Sequence, residues 1–137
     1  MALSRSTPAT VAEPATTPVA TVKQLMDGII APSATIVFDS VGTIVDATGI
    51  HENQPRTDAE WAAVGARGAA LVESANLLVT GNRAIDRQDW VTMSKALADA
   101  GMLVLKATEA KDPQGILAAG ETLNATCDNC HQRYSRE

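Results

Sequence analysis

The chain predicts an all-α fold: an antiparallel, up-down-up-down bundle of four helices behind a disordered N-terminal leader. Three observations carry that expectation. Apolar residues recur at spacings of three and four from Thr21 almost to the end. Start and stop signals cut this stretch into four segments of similar length with short connections, the pattern of a bundle. No alternating strand pattern stands between them.

Residues 1–19, MALSRSTPATVAEPATTPV, are rich in Ala, Thr and Pro and have no apolar period. Pro8, Pro14 and Pro18 oppose a helix or a ladder there, so this segment reads as a disordered or polyproline-like leader or linker. It has no continuous apolar run of the kind a secretory signal needs. Residues 20–137 form the single folded domain, a size that can build a core.

The first helix is expected over about residues 20–46, with Val22, Leu25, Met26, Ile29, Ile30, Ser33, Ile36, Val37, Val41, Ile44 and Val45 on its inward stripe. Pro32 removes a backbone donor and crowds the carbonyl of Gly28, so a kink is expected there. Residues 47–56, with Gly49, His51, Asn53 and Pro55, read as a polar loop. Thr57 and Glu60 form a capping box for the second helix, whose stripe of Trp61, Val64, Gly68, Leu71, Val72, Ala75, Leu78 and Val79 stops at Gly81. The third helix runs from about Gln88 to Ala110 through Trp90, Val91, Ser94, Leu97, Gly101, Val104 and Leu105. Asp112 as N-cap and Pro113 at the first helical position open the fourth. Its stripe is Ile116, Leu117, Gly120, Leu123, Cys127, Cys130, His131 and Tyr134.

Composition bounds the function. Of 137 residues 45% are apolar and 20% charged, which suits a globular domain, and no apolar run is long enough for a membrane span. The net charge of −5 offers no basic face for phosphates, so no nucleic-acid partner is expected. There is no nucleophile with an activating base and no phosphate loop, so the chain does not read as an enzyme.

One motif carries chemistry. Cys127-Asp128-Asn129-Cys130-His131 holds both cysteines and one of the two histidines of the chain. Cys-x-x-Cys-His is the attachment signature of a covalently bound c-type haem. Two thiols can add to the two vinyl groups of one macrocycle only if both reach the same edge of it. On a helix, Cys127, Cys130 and His131 stand three and four apart and share a face, so thioethers hold the ring and the imidazole of His131 can coordinate the iron. Two other readings use the same residues. A thioredoxin-like dithiol usually opens a helix after a strand, and this pair lies near the end of a helix. A structural zinc site needs a fourth ligand, for which only His51 or a carboxylate is at hand.

A four-helix pattern that closes on CDNCHQRY resembles the class II cytochromes c, the family of cytochrome c′ and its low-spin relatives. The resemblance covers about residues 20–136, and its specific part is Cys127, Cys130, His131 and Tyr134. It implies a periplasmic or membrane-tethered protein carrying one haem c per chain, often a homodimer, with His131 as proximal ligand. It also implies that a residue of the first helix governs the opposite face of the iron. Met26, on the inward stripe, falls near that position, and a thioether opposite a histidine suits electron transfer between redox protein partners. Methionine also commonly serves as core filler. A shift of one turn puts Ile29 there instead, leaving an open site able to bind NO or CO. Many cytochromes c′ carry an arginine four residues after the haem histidine; Ser135 stands there in this chain, which tilts the expectation toward electron transfer. Met93, Met102, Trp61 and Trp90 read as packing residues, and His51 as a solvated surface residue.

Overall fold

The computed structural model describes residues 16–134; most of the leader, together with Ser135, lies outside the described residues. Among them stand four helices and one β-hairpin.

Helix α1 is a continuous run in three pieces: Val22–Leu25, a π-helical turn over Met26–Ile30, and Ala31–Asp39. Thr21 opens it with a capping box, its hydroxyl accepting from Gln24 N at 3.1 Å while Gln24 Oε1 accepts from Thr21 N at 2.9 Å. The expected distortion at Pro32 takes the form of the wide turn just before it, where Ala31 N donates to Met26 O. In a regular helix the Pro32 ring would press on the Gly28 carbonyl; the wide turn removes that pairing. The buried stripe records the extra residue, stepping from Leu25 to Ile30 and then to Ser33, Ala34 and Val37.

Helix α1 ends at Asp39, not at residue 46, and the fold is therefore not purely helical. Ser40 Oγ donates to Val37 O at 2.7 Å, and Gly42 takes φ +143°, a region that L side chains rarely adopt. Strands β1 (Gly42–Asp46) and β2 (Gly49–Asn53) then pair antiparallel, with Ile44 opposite His51 and Val45 opposite Ile50. Two residues of the expected helical stripe and part of the expected loop thus become a ribbon. Thr43, Ile44 and Val45 are β-branched and favour strand. The Asp46 carboxylate closes the turn by accepting from Thr48 N at 2.8 Å and Thr48 Oγ1 at 2.6 Å.

Helix α2 (Asp58–Leu78) begins at the expected capping box of Thr57 and Glu60. A short 3₁₀ turn over Gly81–Arg83 leads to α3 (Asp89–Glu109), and α4 (Pro113–Tyr134) follows Asp112. The core joins all four helices: Val37, Leu71, Val104, Ile116 and Leu123 are fully buried, and Trp61 and Trp90 are buried beside them. The seams are unequal. α2 and α3 lie closest, with Gly65 against Thr108 and Gly68 against Val104. α3 and α4 pack extensively, whereas α1 meets α4 only sparsely, chiefly through Ala31–Asp39, and its π-turn leans on α2. An open groove of about 330 Å³ runs along this weak seam, lined by Val37, Phe38 and Val41 on one side and Ile116, Leu117, Gly120 and Asn124 on the other. Stripe positions on the flanks are more exposed than their periodicity implies: Ile36, Val79, Val91 and Leu117 all face solvent in part. Met93 is half-buried and Met102 exposed. No described helix is long and apolar enough to cross a membrane.

Candidate functional site

The last two turns of α4 carry the motif. Cys127 and Cys130 are free thiols and partly buried, and Cys127 packs on the core. Burial, then the charges of Asp128 and of the other cysteine, pushes the Cys127 thiol up; burial alone does the same for Cys130. Both sulfurs are therefore kept neutral. They sit at the C-terminal end of a helix, whose dipole disfavours a thiolate, the opposite of the setting that activates a redox dithiol. His131 is exposed, so the expectation that all three residues line the buried face is corrected: the thiols do, and the imidazole stands on the flank. The reason is angular. A helix turns about 100° per residue, so His131 falls with Gly120 and Asn124, the groove side of α4, rather than with Leu123 at the core.

Two observations place Met26 relative to this motif. Phe38 of α1 lies against Gly120 of α4. His131 is eleven residues beyond Gly120, three turns along α4 on the same side. Met26 is twelve residues before Phe38, two α-turns and the one π-turn back along α1, again on the same side. The ends of the two helices meet the same loop: Arg83 Nε donates to Ala20 O at 3.0 Å just before α1, and the Tyr134 hydroxyl donates to Asp86 Oδ2 at the end of α4. Met26 and His131 thus lie toward the same end of the molecule, Met26 on the turn that packs on α2. Met26 is partly buried. Ile29, also partly buried, is four residues before Ser33 and packs against the core.

A cluster that the sequence did not reveal anchors this end. Tyr134 meets Trp90 edge-on, with ring centroids 4.9 Å apart, and Trp90 Nε1 donates to Leu78 O at 2.8 Å. Asp86 also accepts from Trp90 N at 3.0 Å and Gln88 N at 3.2 Å at the start of α3. These bonds, led by the one from Trp90 N, hold the Asp86 carboxyl below its ordinary range. Arg133 reaches Asp89 at 3.0 Å. Asp86 and Tyr134 stand 48 residues apart, so their bond had no local signature. The Tyr134 hydroxyl is engaged with Asp86 rather than turned to the groove.

Among the described residues no three His, Cys, Asp or Glu side chains converge into a metal site. His51, the candidate fourth zinc ligand, lies exposed on β2 and contacts Thr48 Oγ1 at 2.8 Å. That hairpin adjoins the start of α2, whose Asp58 pairs with Lys111 between α3 and α4, so it occupies the end of the molecule opposite Tyr134. A haem iron asks less of the chain, because its macrocycle supplies four nitrogens and the protein only the axial ligands. Two neutral, half-buried sulfurs on one helix face, with an accessible imidazole one residue on, fit that group.

Compared with known proteins, this chain matches no family model, no curated protein and no solved structure.

Proposed function

We propose that this chain is a c-type haem protein that carries single electrons between redox protein partners, built as an antiparallel up-down-up-down four-helix bundle of the class II cytochrome c kind. The observation that carries the reading is the placement of Cys127, Cys130 and His131 three and four residues apart on the last turns of α4, with both thiols partly buried, Cys127 packed on the core and the imidazole accessible.

The haem supplies a one-electron Fe(II)/Fe(III) couple. Cys127 and Cys130 would hold it covalently, His131 would offer its iron a nitrogen ligand, and Met26 would offer a thioether. The Asp86–Tyr134 bond and the Trp90 contact hold the last turn of α4, so the ligand geometry does not rest on a fraying terminus. The sparse seam between α1 and α4 carries an open groove that reaches Asn124, two turns before His131. Haem attachment of this kind implies an extracytoplasmic location, and a homodimer belongs to the same reading.

The test is spectroscopic. Produced with c-type maturation, the protein is expected to be red and to keep its haem in acid-acetone. Its reduced spectrum should be sharp, low-spin and unchanged by CO, and Met26→Ala should make it high-spin and CO-reactive. A colourless product overturns the proposal. A wild-type protein that binds CO directly replaces electron transfer with the open-site reading, a domain that binds NO or CO.

A further inference from the structure

The π-turn of α1 adds one residue to a turn, and that residue sets the phase of the side chains before it against those after it. Across Met26–Ile30 the chain repeats after five residues, so Leu25 shares the side of Ile30 and Met26 the side of Ala31, which is two turns before Phe38. A regular helix of the same length repeats after about four. Read back from the Ala31–Asp39 segment, it would carry Met26 onto the buried stripe with Ile30 and bring Asp27 to the side of Phe38. Asp27 is instead exposed and paired with Lys23 at 2.7 Å. Gly28, inside the turn, is exposed and touches nothing, so it fills no space. A π-turn is an uncommon element that gathers at functional sites, and this one sits in α1, the helix that meets α4 along the sparse seam among the described residues.

We propose that the π-turn, stabilised by Pro32, is a positioning device that sets residue 26, rather than residue 27, as the side chain presented to the haem across from His131. This rests on the function proposed above. The turn behaves as a one-residue insertion whose removal leaves both flanks in phase.

Two variants of the full chain test it, each in haem-loaded and haem-free form. Deletion of Gly28 converts the wide turn to an α-turn without rotating Met26. The loaded variant should keep the low-spin, CO-resistant spectrum, and the haem-free variant should melt no lower than wild type. Deletion of Thr35, in the regular segment, is the control: it rotates one part of the stripe against the other and should lower the haem-free melting temperature sharply. The second variant, Met26→Leu with Asp27→Met, moves the thioether by one position. It should retain covalent haem yet become high-spin and CO-reactive, since position 27 faces away. The inference is overturned if the Gly28 deletion folds with haem attached but turns high-spin, if it melts as low as the Thr35 deletion, or if the shifted methionine gives the wild-type spectrum. Failure of the underlying reading looks different: wild-type protein without haem, or a low-spin spectrum that Met26→Ala leaves unchanged.

Discussion

Gly68 of α2 and Gly101 of α3 meet backbone to backbone: a Cβ on Gly68 would stand 3.1 Å from Gly101 O, and one on Gly101 would stand 2.9 Å from Gly68 O. Neither carbonyl belongs to a side chain that can swing aside. Gly68→Ala and Gly101→Ala should each therefore destabilise the protein by about 1–3 kcal/mol, the usual cost of overpacking, although alanine is the better helix former. Chemical denaturation would measure it. Midpoints at or above wild type would mean that the two helices separate without cost.

Leu123 is fully buried one turn before Cys127. Leu123→Ala should cost about 2–5 kcal/mol through lost burial and the cavity left behind. In protein with haem attached it should also loosen the terminal turns, which faster amide exchange over residues 126–134 would report.

Acid should unfold this protein partly through Asp86. Bonds from Trp90 N and the Tyr134 hydroxyl hold its carboxyl below the ordinary value, so the folded state binds the proton less readily than the unfolded one. The contribution is then complete above the unfolded value of about 3.9 and disappears as pH falls through the lower folded value. Asp46 and Asp58 are shifted the same way, Asp46 by Thr48 and Asp58 by Lys111. Denaturation midpoints between pH 2 and 6 should fall on acidification, and Asp86→Asn should flatten that slope. An unchanged slope would remove Asp86 from the account.

The haem-free thiols should react slowly. Burial raises both, so at pH 8 alkylation of Cys127 and Cys130 should lag behind a cysteine in a short peptide, with Cys127 further hindered by the charge of Asp128. The sign reverses for stability: a neutral thiol favoured by folding contributes below its unfolded value and loses that contribution as pH rises through the folded one. Rapid labelling at neutral pH would point back to a redox dithiol.

What the sequence made legible follows the range of each signal. The capping box at Thr57 and Glu60, the stop near Gly81 and the Asp112-Pro113 start are local, and α2, α3 and α4 begin or end close to them. The motif is local too, so Cys127 and Cys130 fall on the core-facing side of α4. The hairpin was hidden because Val41, Ile44 and Val45 continue a three-and-four spacing by coincidence. The decisive marks were Gly42 and the Asp46–Thr48 turn, which outweigh periodicity in a short segment. The π-turn was half visible: Pro32 announced a distortion, but whether a helix kinks or widens depends on what its flanks must face. The exposure of His131 was missed because a stripe of threes and fours is broad: it takes in a residue turned about 80° from Leu123, at the edge of the buried face.

The uneven seams also set where the molecule opens. α2 and α3 are locked at Gly68 and Gly101, and α4 is tied to α3 along its length, while α1 touches α4 lightly. Native-state fluctuations should accordingly be those of a three-helix body from which the first helix swings, with amide exchange slowest around Leu71 and Val104 and fastest through the π-turn. The first and last segments of the chain would part before anything else does, so a group bonded to both would act as the hinge pin of the whole domain.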